Sequence, residues 1–119
     1  LNIAKKIMEK GCFEVKPAIK LDLKKKYDII ISNSVFSYFP DKLYAKTMID
    51  LMQRKALEKV VILDLCKTSY PFNKNYQTYS KDFFEKIAVK NNLDLIIFDQ
   101  KMHENNNSKF RFNVIYYLK

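Results

Sequence analysis

Residues 27–40, YDIIISNSVFSYFP, gather the side chains best placed for chemistry. A β-branched run, Ile29-Ile30-Ile31, stops at a polar corner, Ser32-Asn33-Ser34. Val35-Phe36, the aromatic pair Tyr38-Phe39 and then Pro40-Asp41 follow. A buried parallel strand ends this way where its carboxyl edge opens onto a ligand crevice. Tyr38 is either a half-buried core aromatic or a phenol that donates to a substrate. Asp64 ends a second apolar run, KVVILDL, where its carboxylate would orient a substrate group or act as a solvated cap. The stretch 66–79 has no clear period and carries Tyr70, Tyr76 and Tyr79. A loop of that length is either functional or mobile. Arg111 and Asn113 fall on the polar side of a terminal alternating run. There they are surface structure, or Arg111 contacts an acidic substrate.

Composition narrows the classes. A chain of 119 residues is one domain at most, and 48% hydrophobic residues fill a core and exclude disorder. No apolar run approaches the roughly 18 residues of a membrane span, and no signal-peptide pattern opens the chain. The sequence begins at Leu1, mid-way into a helical pattern, which suggests that residues upstream are missing. His103 is the only histidine, so a His-rich metal site and a His–His acid/base pair are excluded, and no metal is expected. Cys12 and Cys66 lack metal-ligand spacing and read as two buried reduced thiols of a cytoplasmic protein, with a disulfide or a metal as the alternatives. The net charge of +9 is spread along the chain, its longest block being Lys24-Lys25-Lys26. A solvated basic surface is the expectation, and a nucleic-acid footprint the lesser alternative.

The elements that must position these groups follow from periodicity. Ile3, Ala4, Ile7 and Met8 mark one helical face, with Gly11 placed for a left-handed cap. Residues 12–15 fit a short strand ended by Pro17, and 20–26 a charged turn. Residues 28–32 form a strand whose consecutive apolar side chains predict cover on both faces. Asp41 caps a helix running to about Leu57, with Tyr44, Met48, Leu51 and Met52 on one side. Residues 59–65 form a second buried strand. Ser80 caps a helix over 81–90 with Phe83, Phe84, Ile87 and Ala88 on its apolar face, and Asn91-Asn92 ends it. A third strand covers 93–99. Residues 109–119 alternate, with Phe110, Phe112, Val114, Tyr116 and Leu118 facing one way. Residues 101–108 leave no room for a helical crossover, so the last two strands are predicted to be antiparallel. The fold class is α/β: a partial doubly wound, mostly parallel sheet with a C-terminal antiparallel strand, one unit over residues 1–119.

This string of elements resembles the second half of a class I S-adenosylmethionine-dependent methyltransferase, a Rossmann-like fold. YDIIISNSVFSYFPD resembles the family's fourth strand and the loop after it, and KVVILDL the fifth strand. YQTYSKDFFEKIAVKNNLDLIIF resembles the next helix and strand, and NSKFRFNVIYYLK the final strand of a bacterial subgroup. Residues 1–11 would match the helix after the second strand. What precedes that helix in the family is the first strand, its glycine-rich turn and an acidic residue for the ribose. The sequence has one glycine, so that turn is not in it. Lys16-Pro17 stands where the family often has an acidic residue near the adenine amine.

The resemblance implies roles. Asn33, Ser34, Val35 and Phe36 would line the methionine and sulfonium end of S-adenosylmethionine. Otherwise Ser32–Ser34 merely turns the chain and Val35 and Phe36 fill core. Tyr76 and Tyr79 would sit on the loop over a small-molecule methyl acceptor, and the subgroup often carries a histidine near position 76. Tyr38, Tyr76 and Tyr79 are thus the catalytic candidates, and Asp64, Arg111 and Asn113 the substrate-side ones. The chain would be the C-terminal part of the enzyme and incompetent alone. Two other readings stand beside it. One is a non-catalytic module that self-associates through exposed sheet edges. The other is a nucleic-acid binder stacking bases on Phe110, Phe112 and Tyr116, which is disfavoured because those rings fall on the predicted buried face.

Overall fold

The computed structural model describes residues 2–101 and 107–119. Its elements are α1 (Asn2–Ile7), β1 (Tyr27–Asn33), α2 (Lys42–Lys55), β2 (Ala56–Cys66), α3 (Lys81–Asn91), β3 (Asp94–Asp99) and β4 (Arg111–Tyr117). The four strands form one sheet in the order β1-β2-β4-β3. β1 and β2 are parallel, as a crossover through α2 allows. β4 runs antiparallel to both of its neighbours, so β1, β2 and β3 share one direction and β4 opposes them.

Local chemistry sets the helix ends. The Asp41 side chain accepts from the Tyr44 N–H at 2.7 Å, and the Ser80 hydroxyl accepts from the Phe83 N–H at 3.2 Å. Asn92 closes α3 in the left-handed conformation, φ 54°, a cost that asparagine bears better than most residues. Lys55 ends α2 two residues earlier than predicted, and β2 starts at once on Ala56. The Lys55 ammonium is buried at that junction, donating to the carbonyls of Asp22 and Lys25.

α2 and α3 lie side by side on one face of the sheet, joined by a hydrogen bond from Asn91 to Gln53 at 3.1 Å. Beneath them Val60, Ile62, Phe112, Val114 and Tyr116 are fully buried. The terminal alternation is therefore confirmed for Phe112, Val114 and Tyr116. Phe110 falls instead in a 3-10 turn, Ser108–Phe110, ahead of β4.

Four expectations are corrected. Residues 12–15 form no strand, since they have no ladder partner. Gly11 does not take a left-handed φ, and Cys12 is exposed rather than buried. β1 is not covered on both faces: Ile31 is 61% exposed and Ile29 is exposed beside it. The register aligns Ile31, Val61, Ile115 and Ile96 across all four strands on that second face. No element among the described residues packs over it, and β1 carries an unpaired outer edge.

Candidate functional site

The site begins with two residues in a conformation that side chains resist. Ser34 directly follows β1 and Asp64 lies near the carboxyl end of β2, with φ 59° and 62°, and neither is glycine. Left-handed backbone costs a residue with a Cβ about 1–2 kcal/mol, so the surroundings must over-determine it. They do so through one network. The Ser34 hydroxyl donates to Asp64 Oδ2, and Arg111 Nη1 donates to the same oxygen at 2.9 Å. Gln100 Nε2 donates to Asp64 Oδ1 at 2.8 Å.

A bulge in β2 supplies the geometry. Between Ile62 and Leu65 the β2–β4 register shifts, which turns Asp64 out of the ladder. The orphaned Asp64 N–H donates instead to Asn113 Oδ1 at 2.9 Å, which explains why a carboxamide is buried in mid-strand. Asn33, Ser34, Asp64, Gln100, Asn107, Ser108 and Arg111 then line a polar basin of about 320 Å³ at the carboxyl ends of β1 and β2.

Arg111 spends its donors inside this network. Beyond Asp64 it reaches Asn107 Oδ1 at 3.2 Å and the Tyr70 hydroxyl at 3.1 Å, and its guanidinium lies 4.9 Å from the centre of the Tyr70 ring. Burial works against its charge, but the facing Cys66, Asp64 and Tyr70 outweigh it and raise its pKa. Burial pushes the Cys66 thiol up in turn, with Arg111 opposing.

The tyrosines divide. Tyr79 is fully buried, donates to the Phe36 carbonyl at 2.8 Å and has its pKa pushed far up by burial, so its phenol is a structural donor. Tyr38 is 68% exposed, against the half-buried core expectation. Its hydroxyl lies 3.2 Å from that of Tyr76, and this hydrogen bond raises the Tyr38 pKa. The segment between β2 and α3 is pinned at its base by a bridge between Lys67 and Tyr79, and by Gln77 N–H donating to the Ser37 carbonyl at 2.8 Å.

Among the residues expected to line a cofactor, Asn33 and Ser34 face the basin and Val35 is part-exposed. The Phe36 ring is in the core against Phe39 and Tyr79, at the start of the 3-10 turn Phe36–Tyr38 that follows the exposed Val35. Asp64, Arg111 and Asn113 converge as one unit, with Arg111 largely buried rather than on a solvated face. Gln100, Asn107 and the bulge escaped the sequence reading. Gln100 had a signal, since it follows the last residue of a strand directed at the same end. His103 lies outside the described residues. Among those described, no three His, Cys, Asp or Glu side chains converge to hold a metal. No described helix is long and apolar enough to cross a membrane.

The fold is that of the class I S-adenosylmethionine-dependent methyltransferases. The chain superposes on magnesium protoporphyrin IX methyltransferase from Synechocystis PCC 6803, solved with S-adenosylmethionine bound, with TM-score 0.70 and 15% identity. That match covers 99% of this chain and 52% of the enzyme. The N-methyltransferase NodS from Bradyrhizobium japonicum WM9, solved with S-adenosylhomocysteine, gives TM-score 0.72 at 10% identity over 98% of this chain and 60% of that one. An S-adenosylmethionine-dependent methyltransferase from Clostridium acetobutylicum ATCC 824 gives 0.64 at 12% identity, over 99% and 68%. The chain thus spans about half the length of the first of these enzymes. No protein-family model and no curated protein sequence matches it.

Proposed function

We propose that this chain is the C-terminal part of an S-adenosylmethionine-dependent methyltransferase acting on a small molecule. One observation carries the reading: a polar basin held open by two left-handed residues at the carboxyl ends of adjacent parallel strands. The fold is one in which related structures hold S-adenosylmethionine or S-adenosylhomocysteine. The donor set fits one side of such a cofactor. The Asn33 carboxamide and the Ser34 hydroxyl suit its amino-acid end, and backbone carbonyls suit a sulfonium that cannot hydrogen-bond. When bound, the cofactor would supply an activated methyl group.

The chain's own residues would orient and desolvate the reactants. Asp64 and Arg111 act as positioning residues that fix Ser34. Asp64 is no general base in this arrangement, because its carboxylate already accepts from Ser34, Gln100 and Arg111. The Tyr38–Tyr76 hydroxyl pair is the group left to hold or relay an acceptor proton. Gly11, the single glycine, lies in the exposed segment after α1, so no glycine-rich turn of this chain can close on the cofactor. We therefore read the chain as incompetent by itself. NMR shift mapping with S-adenosylhomocysteine tests the reading. Weak, saturable shifts at residues 33–36 and 64, without turnover, are expected. No shifts, or shifts confined to the groove between α2 and α3, would sink it.

The bare sheet face and the unpaired β1 edge favour a second reading, a module that self-associates through them. Light scattering should then give a mass above that of one chain, reduced by Ile31→Lys. A strictly monomeric chain at high concentration would end this reading. The third alternative keeps only Phe110 of its three rings, since Phe112 and Tyr116 are fully buried.

A further inference from the structure

A row of five rings joins the polar basin through Tyr70, whose hydroxyl accepts from Asn107 and Arg111 of the lining, and the assignments above use only the Tyr38 and Tyr76 hydroxyls of that row, not its ring faces. Tyr38 meets Tyr76 edge-on at 5.1 Å between ring centres, and Tyr76 stacks on Tyr70 at 5.7 Å. Tyr70 meets Phe72 edge-on at 5.5 Å, and Phe72 meets Phe110 at 5.6 Å. These rings come from three separate segments: the one after β1, the one after β2 and the turn before β4. All three segments lie at the end of the sheet where β1 and β2 terminate, which is the ligand end of an open α/β sheet.

The row is held by contacts at its centre and exposed at Tyr38 and Phe72. Arg111 covers one face of Tyr70 and hydrogen-bonds its hydroxyl. The Tyr38 hydroxyl holds that of Tyr76, and the Lys67–Tyr79 bridge clamps the base of the segment. Tyr38 and Phe72 nevertheless stay 68% and 57% exposed. Large aromatics held in place yet left exposed beside a polar basin mark a recognition surface more than a core. Fixed rings also bind a flat partner with little ordering cost.

We infer that this aromatic row is the acceptor platform, and that it takes a planar, conjugated small molecule whose polar substituent points into the basin at Tyr70 and Asn107. Rings recognise a flat π system by stacking, and they distinguish it from a saturated molecule of the same size and charge. The inference rests on the methyltransferase reading and names the acceptor class for it.

The test is a matched pair of probes, 2-naphthoate and its fully saturated decalin counterpart, titrated into the chain and followed by NMR. The flat probe is expected to shift Tyr38, Tyr70, Phe72 and Tyr76 signals and to bind at least tenfold more tightly than the saturated one. Phe72→Ala and Tyr38→Ala truncate exposed rings and leave the fold intact, and each should weaken the flat probe several-fold. Equal affinity for the two probes, binding that neither variant alters, or no binding of the flat probe would overturn the inference. S-adenosylhomocysteine is titrated separately on the same sample. Its failure to bind would overturn the methyltransferase reading without touching the probe result, so the two failures are distinguishable.

Discussion

The two faces of the sheet use the same kinds of residue to opposite ends. Under α2 and α3, Ile62, Val114 and Phe112 are sealed, while Ile31 and Ile96 on the other side stand open. Toward the carboxyl ends of β1 and β2 the open face changes character, and Asn33, Asn113 and Arg111 replace aliphatics in the same alternation. The covered face therefore carries stability, and the open one carries the site and an unfilled surface. The sharpest way to break this contrast is one truncation on each side. Phe112→Ala removes a ring packed on Phe84 at 5.8 Å and should cost about 3–5 kcal/mol in chemical denaturation. Ile31→Ala should cost roughly 0.5 kcal/mol or less. Similar losses on the two faces would mean that something does cover the open face in solution.

The next effect is at the boundary between the faces. Asp64→Ala leaves Arg111 without its carboxylate, at about 1–3 kcal/mol for a buried unsatisfied donor, and keeps a Cβ in left-handed backbone. The total loss should be about 2–3 kcal/mol. Asp64→Asn tolerates the positive φ and retains an acceptor, so it should lose clearly less. If the two variants were equal, the network would not be what holds the bulge. Thermal unfolding of both, at one salt concentration, decides it.

Much of this was legible in the sequence, and the failures have physical causes. Asp41 and Ser80 announced their helices because capping is a local interaction. The reversal of β4 followed from a connection too short for a crossover. Asn33, Ser34 and Asp64 were picked at strand ends and Arg111 on the polar side of the last strand, and the structure brings them together. Cover over Ile29 and Ile31 was misread because consecutive apolar residues report a strand's capacity for burial, and the burying partner must come from elsewhere. The bulge was invisible because bulge sequences advertise themselves through glycine, and here an aspartate is held left-handed by contacts distant in sequence. Phe36 was left open between cofactor and core because distance from the strand end does not show where the chain turns inward, and its ring lies in the core.

The smallest predicted effect tests how α3 is tied to the covered face. Asp99, at the end of β3, sits 3.2 Å from Lys67 Nζ and 3.3 Å from Lys81 Nζ, the latter in the first turn of α3. Burial opposes its charge, but hydrogen bonds and attraction from Lys67 and Lys81 together outweigh it and hold its carboxyl below the usual range. A carboxylate depressed in the folded state stabilises it above the unfolded carboxylate value of about 3.9, and that contribution is lost as pH falls through the folded value. All three side chains are part-exposed, so the contribution is screened and should amount to well under about 1 kcal/mol. Asp99→Asn should therefore leave stability near neutral pH almost unchanged and flatten the acid limb of the stability curve below about pH 4. The difference should shrink as salt is raised. Parallel acid limbs for the two proteins would show that α3 is held on the sheet by its apolar face alone, which would sharpen the division between a covered face built on burial and an open end built on charge.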